Sequence, residues 1–495
     1  MNPTAPARPK LTVTEWLVIL IAIIGFAFDT YELLMLPLIA GPALAELLQV
    51  PPGNPLVTQW VGNMLWVTAL CGGIFGLLGG WLTDRLGRKR VLVASILLYS
   101  LSPVAAAFST NVYTFLFFRC TTFVGVCVEF IAAITWLAEL FPDKRQRELV
   151  LGGTQAFASV GGLLVTFANI LAVKYAADLP GLPIAAPFNA HASWRYTLLT
   201  GLIPAIPIAL MLPFVPESKA WLERRKAGTL RRPSILELFS PELRRITIIT
   251  AALSACAYGA AFGALQLTPT RIVPGMSVLA EQRKALKPLQ DEAKQLNGQW
   301  AKAAPGSPEQ KELFKKILAN RKQQAPYDEA IKQRGNDVQL FQELGGLAGR
   351  IALAGLLVVA IGRRSLLRIF QVPGLILFPL TYLYLFRHDP ELFKWGMALC
   401  GFLTVAQFSY FGEYLPKAFP LHLRGTGGGF ATNVGGRMIG TSAAYLTANL
   451  IAPHLAGNTF EQVAAGAAIT GTGVFVIGLI LSCFLPEPKP ETLAS

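Results

Sequence analysis

The sequence predicts an all-α membrane protein, twelve transmembrane helices in two pseudo-symmetric six-helix halves. Three observations predict it. The 495 residues are 53% hydrophobic and 15% charged, against about 25% charged in soluble domains. Apolar runs of roughly 20 residues, enough to cross a hydrocarbon core of about 30 Å as a helix, recur along the chain. Basic residues cluster in alternate connections. Backbone groups in lipid find no water to bond, so such runs are helices.

The spans are expected at roughly 14–38, 60–82, 91–108, 112–140, 149–173, 195–214, 245–270, 340–361, 367–386, 393–416, 426–450 and 462–484, with ends good to about 2–4 residues. The first is too long, and too poor in a small-residue cleavage site, to be a removable signal peptide.

A net charge of +14 in a soluble chain would suggest nucleic acid; its distribution excludes that. Arg85, Arg88, Lys89 and Arg90 follow span two, and Lys144, Arg145 and Arg147 follow span four. Eight Lys/Arg lie between Lys219 and Arg245, after span six. Arg363, Arg364 and Arg368 follow span eight, and Lys417 and Arg424 follow span ten. The connections after spans one, three and eleven have no Lys or Arg. Positive loops stay cytoplasmic, so both termini are expected inside, in a bacterial-type inner membrane.

Residues 271–340 hold 13 Lys/Arg against 8 Asp/Glu, yet the span count puts them outside. Loops beyond about 60 residues largely escape the charge rule. Leu279, Leu286, Leu289, Ala293, Leu296 and Trp300 recur at helical spacing. SPEQ at 307–310 has the form of a capping box, with Pro308 at the first helical position. The insert reads as a hairpin of two or three helices outside the membrane, a solvated spacer or an extramembrane contact site. Cys71, Cys120, Cys127, Cys256, Cys400 and Cys483 fall inside spans, as small packing residues. The four histidines are scattered, and no nucleophile elbow or phosphate loop occurs. No metal, cofactor or enzymatic activity is expected.

The cytoplasmic stretch 217–244 separates an N-terminal half, 1–216, from a C-terminal half, 245–495, which carries the insert 271–340. The halves echo each other. GGWLTDRLGRKR at 79–90, after span two, aligns with AGLLVVAIGRRS at 354–365, after span eight. Gly80 matches Gly355 and Gly87 matches Gly362, while Asp84 falls opposite Val359. ELFP at 139–142 is echoed by EYLP at 413–416. Two parallel halves with inverted repeats inside each are a transporter plan.

Gly80-x-x-x-Asp84-Arg85-x-Gly87-Arg88-Lys89-Arg90 resembles the signature between helices two and three of the major facilitator superfamily. PESKAWL at 216–222 resembles the Pro-Glu-Ser-Pro-Arg-Trp-Leu motif after helix six of its sugar-porter-like branch, with Lys219 and Ala220 in place of Pro-Arg. FPLHLRGTGGGFATNVGGR at 419–437 is similar to the helix ten to eleven segment of proton-coupled metabolite symporters and organic-ion transporters. The resemblance covers the chain outside the insert. It implies alternating access by rocking of the halves, and a cytoplasmic latch. Gating candidates are Gly80, Asp84, Arg85, Gly87, Arg88, Glu139, Arg145, Glu413 and Arg424. By position, Asp84 is expected at the start of span three, where a helix N-terminus favours negative charge. Gly80 permits close packing of span two.

Ionisable residues inside spans are costly and mark function. At 1.5 Å per residue, Asp29 lies about 22 Å into span one, and Glu32 shares its face. Arg119 lies about 10 Å into span four, at a similar depth, so an ion pair with Asp29 or Glu32 is expected. Glu129 sits about 25 Å in, nearer the cytoplasm. Arg350 and Arg437 fall near mid-depth in a half poor in acids. Glu343 lies nearer the outer surface and Glu413 the inner end. Either an N-half acid such as Glu129 answers the arginines across the cleft, or an anionic substrate does, since the guanidinium fork fits a carboxylate. Organic-anion members of the similar family often use a helix-eleven Arg, which Arg437 resembles. A carboxylate that alternates between wet and buried surroundings can load and release a proton; Glu129 is the first such candidate, then Asp29 and Glu32. Substrate-binding candidates are Arg350, Arg437 and Arg119, with the uncharged Gln155, Tyr258, Gln266, Gln407, Tyr410 and Asn433.

The expected function is proton-coupled symport of a small organic acid, with proton, anion and lipid bilayer as partners. The alternatives are sugar or polyol symport, drug or metabolite efflux, and a non-transporting sensor that uses the insert as its contact surface.

Overall fold

The structure is a computed structural model that describes residues 11–51, 54–141, 143–184, 188–304, 306–357 and 362–487. Among the described residues it is helical, with no strand. Ten helices are long and apolar enough to cross a membrane: Val13–Leu47, Gln59–Leu86, Arg88–Ala107, Val112–Leu140, Gln146–Tyr175, Ser193–Met211, Arg244–Gly275, Pro308–Leu357, Arg363–His388 and Thr459–Ser482. Two more stand where spans ten and eleven are expected, Pro390–Ala418 and residues 424–454. Both are less uniformly apolar. The first buries Gln407, Ser409, Glu413 and Lys417. The second is glycine-rich and mixes α, 3-10 and π turns, including a π segment at Phe430–Ile439. The expected numbering, spans one to twelve, is kept below.

Local chemistry sets the helix ends. Thr12 and Glu15 form a reciprocal capping box at the start of span one, and Asn458 and Glu461 do the same for span twelve. Such boxes satisfy two of the four unpaired N–H groups at a helix start. Span two stops at Gly87, whose φ of 110° suits glycine and few other residues. A side chain there would also strike the Glu217 carboxylate.

Three expectations are corrected. Span one does not end at 38 but runs to Leu47, through Pro37 and Pro42. Burial of Met35, Ile39, Ala43 and Leu44 outweighs the backbone bonds that the prolines remove. Span five is interrupted at Phe157, between the helices Lys144–Ala156 and Ala158–Tyr175. The insert's second helix is not separate from span eight: Pro308–Leu357 is one helix of 50 residues. It pairs with Ala280–Lys302 across a small core of Leu286, Leu313 and Ile317. Asn320 fixes the register by donating to the Leu289 carbonyl at 3.2 Å and to Glu292 at 2.7 Å. Ser307 caps the Gln310 N–H at 3.1 Å, but the Gln310 side chain returns to Gly306 N rather than to Ser307.

Apolar packing follows the halves. Two main clusters draw on residues between Val18 and Val215, and a larger one on residues between Leu238 and Leu485. Trp66, Phe117, Phe167, Leu210 and Ile376 stand more than half exposed on the outer faces of the helices. Apolar surface spread over every helix in this way suits lipid rather than water.

Candidate functional site

At mid-depth the two halves meet through charge. Arg437, in the π segment of span eleven, places Nη2 at 3.4 Å from Asp29 Oδ2 of span one. Its Nη1 donates to Asn433 Oδ1 at 3.2 Å, and Asn433 in turn donates to the Cys127 carbonyl of span four at 3.2 Å. Phe123 and Phe130 hold their rings against the guanidinium, and Tyr258 lies beside it. The acid across the cleft is therefore Asp29, not Glu129. Glu129 lies close to both partners of that pair; its carboxylate packs on Gly25 of span one and Oε2 has no hydrogen-bond partner. Glu32 binds Arg119, at 3.6 Å between charged atoms and 3.1 Å from Nη2 to the Glu32 carbonyl. That is the strut between spans one and four that the depths anticipate.

Arg350 is different. Its Nη1 donates to the Gln155 carbonyl at 2.8 Å and to Ser409 Oγ at 3.3 Å. Nε is buried without a partner, and among the described residues Arg350 forms no ion pair. Asp29 Oδ1, Gln155 Oε1 and Glu129 Oε2 are likewise buried and unbonded. Buried polar atoms normally have partners, so a polar group entering this cluster would meet a donor and several acceptors. Three other candidates stand away from it. Gln266 is exposed. Gln407 donates to its own helix at Leu403 and faces Gln371. Tyr410 stacks on Tyr414 inside the C-terminal half.

At the basic end, span two packs so tightly on span eleven that a side chain on Gly80 would collide with the Gly425 carbonyl. Asp84 is fully buried in the last turn of span two. It does not cap span three as expected. It accepts from Gly425 N at 2.9 Å, Thr426 N at 2.7 Å and Thr426 Oγ1 at 2.8 Å. These are the free N–H groups at the start of span eleven, in the other half, where the helix dipole favours an anion. Span three is capped by Glu217, which accepts from Arg88 N and Lys89 N at 3.0 and 3.1 Å. Arg88 binds Glu139 at 3.0 Å and the Leu421 carbonyl at 2.7 Å, and Arg424 binds Glu139 at 3.3 Å. Arg85 is exposed over Trp81, outside this network. The side chain of Arg145, and Val359 opposite Asp84 in the echo, lie outside the described residues.

The echo extends further than its letters. Arg363 aligns with Arg88 and binds Glu413, the counterpart of Glu139, at 3.0 Å. Glu487 accepts from Arg363 N and Arg364 N at 2.9 Å each, as Glu217 does in the first half. Arg363 also crosses to Glu148 of span five at 2.5 Å, and Lys417 joins Glu148 and Glu413. Glu148, Arg363, Lys417 and Glu487 lie beyond the site candidates of the sequence; the matched PE after spans six and twelve, at 216–217 and 486–487, is a readable signal for Glu487 alone. Among the described residues, the hydrogen bonds and ion pairs that join the halves lie at the depth of Asp29–Arg437 or toward this basic end.

Comparison with known proteins agrees with this geometry. The family model described as Major Facilitator Superfamily matches residues 16–285, more than half of the chain. The chain belongs to the Major Facilitator Superfamily. It is a multi-pass membrane transporter, not an enzyme, as its relatives are. The cis,cis-muconate transport protein of Acinetobacter baylyi is 25% identical over 433 residues, 86% of each chain. The 4-hydroxybenzoate transporter PcaK of Pseudomonas aeruginosa is 34% identical over 174 residues, 35% of each chain. The niacin transporter NiaP of Acinetobacter baylyi is 28% identical over 35% of each chain. Among solved structures, the proton:xylose symporter XylE shares the superfamily fold, with a TM-score of 0.66 at 17% identity over 97% of this chain and 98% of its own.

Proposed function

We propose that this transporter moves a small organic carboxylate with protons, by alternating access, across a bacterial-type inner membrane with the basic end in the cytoplasm. The observation that carries it is Arg350, a mid-depth guanidinium with hydrogen bonds to two neutral oxygens and, among the described residues, no ion pair. A buried cation with no carboxylate in contact is expensive, and a carboxylate fits its guanidinium fork. Three similar transporters are named for muconate, 4-hydroxybenzoate and niacin, all carboxylates near neutral pH. The 217–244 stretch then links two rocking halves, and the Asp84 contacts hold the cytoplasmic side shut in this state.

Purified protein tests the substrate class. A ligand of the folded state stabilises it by about 2.7 kcal/mol at a hundred times its Kd. Muconate, 4-hydroxybenzoate or niacin should raise the unfolding midpoint by a few degrees, and xylose or arabinose should not. A shift with the sugars alone would overturn the carboxylate reading in favour of sugar symport.

In this reading Glu129 carries the proton, because it is buried, has an unbonded oxygen and adjoins the Asp29–Arg437 pair. Glu129→Gln should keep substrate exchange across proteoliposomes and lose accumulation driven by a pH gradient. Accumulation that persists in the variant assigns the proton elsewhere.

A further inference from the structure

Glu343 precedes Arg350 by seven residues on the unbroken helix Pro308–Leu357. Seven residues are two turns less about 20°, so both lie on one face, about 10 Å apart along the axis. Contacts say where that face looks. Ala354 and Leu357 lie against Gly152 of span five, and Arg350 bonds Gln155 there. Gly345 and Gly349 turn away, onto Ala398 and Phe402 of span ten. The face of Arg350 is thus presented to span five, with Ser409 and Val405 of span ten along its edge, and Glu343 continues that face two turns toward the insert. Helical side chains lean toward the helix N-terminus, so Arg350 leans toward Glu343. Glu343 is half-buried, and the hydrogen bond recorded for it is a long one from Gln342, 3.5 Å. The opposite charges of Glu343 and Arg350 act on each other.

We infer that Glu343 is a specificity-determining residue: it balances Arg350 while the site is empty, and it selects against substrates that carry a second anionic end. The inference rests on Arg350 as the carboxylate-binding group. Glu343 stands two turns toward the insert from Arg350, on the side away from the latch. A carboxylate that arrives on Arg350 replaces the field of Glu343. A substrate whose far end is neutral then brings no second charge toward the half-buried acid. A dicarboxylate reaching outward along this face brings its second charge toward the acid and is repelled. The site of this chain therefore suits 4-hydroxybenzoate-like or niacin-like acids over muconate-like ones.

The test measures inhibition constants for 4-hydroxybenzoate and cis,cis-muconate on the full chain in proteoliposomes. At an effective dielectric near 20, removing one charge about 10 Å from another changes affinity by roughly tenfold, and less for a ligand held farther off. Glu343→Gln should tighten both acids through the carboxylate they share on Arg350, and muconate by about a further tenfold through its second charge, so the ratio moves. Glu343→Asp keeps the charge and should keep the wild-type ratio, which a merely structural role would not require. An unmoved ratio in Glu343→Gln, with both acids lost in Arg350→Ala, overturns the role of Glu343 alone. Undiminished inhibition by both acids in Arg350→Ala overturns the carboxylate site itself.

Discussion

Arg350→Ala is expected to remove carboxylate uptake almost completely. A buried hydrogen-bonded charge pair costs about 2–5 kcal/mol when one partner is truncated, so kcat/KM should fall by at least about 30-fold. Arg350 is a cleaner target than Arg437. Its removal frees the Gln155 carbonyl and the Ser409 hydroxyl, both neutral. Removal of Arg437 would strand the Asp29 carboxylate in the interior and threaten the fold itself. Arg350→Lys should fall between, because a lysine keeps the charge and loses the planar fork. Uptake in Arg350→Ala at the wild-type rate, measured with labelled acid at matched protein levels, would end the carboxylate assignment.

Asp84→Asn should produce the second large effect, on turnover rather than on binding. The carboxylate accepts three hydrogen bonds from Gly425 and Thr426 and faces Arg88 at 3.5 Å. An asparagine keeps one acceptor oxygen and turns an NH2 group toward donors. A buried donor left without an acceptor costs about 1–3 kcal/mol, more when a charge is involved. The loss falls only on the state in which spans two and eleven touch, so the latch-closed population drops by one to two powers of ten. We expect transport to slow about tenfold or more with KM nearly unchanged, while insertion and span orientation persist because Arg85, Arg88, Lys89 and Arg90 remain. Unaltered turnover would reduce the motif to a topology signal.

The helices and the depths of their buried charges are legible in the sequence for one reason: each depends on position along a single axis; the latch comes only from the resemblance of the motif at 80–90. Hydropathy gives the spans, and 1.5 Å per residue gives depth, which narrows the partner of Arg119 to Asp29 or Glu32; the structure has Glu32. Depth says nothing about azimuth. Asp29 and Glu129 were therefore interchangeable partners for Arg437 until the helices were in place. Gln407 and Tyr410 look like site residues by height, and face their own half. Asp84 was assigned to the nearest helix N-terminus in sequence, but the helix start it caps is more than 300 residues away. The second charge network escaped notice because its acid, Glu148, comes from span five, while the loop that echoes Asp84 holds a valine.

The 50-residue helix that begins in the insert and ends in span eight is about 75 Å long at ideal rise, more than twice the thickness of a hydrocarbon core. One end of this rod holds Arg350; the other, braced by the Ala280–Lys302 helix, extends beyond the length a hydrocarbon core can cover. A rotation too small to see at the site becomes a displacement of several ångströms at the tip, in proportion to its distance from the pivot. The hairpin is thus a built-in pointer on the C-terminal half: a probe fixed near its tip would read the carrier's stroke from outside the membrane, and a molecule that clasped the tip would hold the stroke still without approaching the substrate.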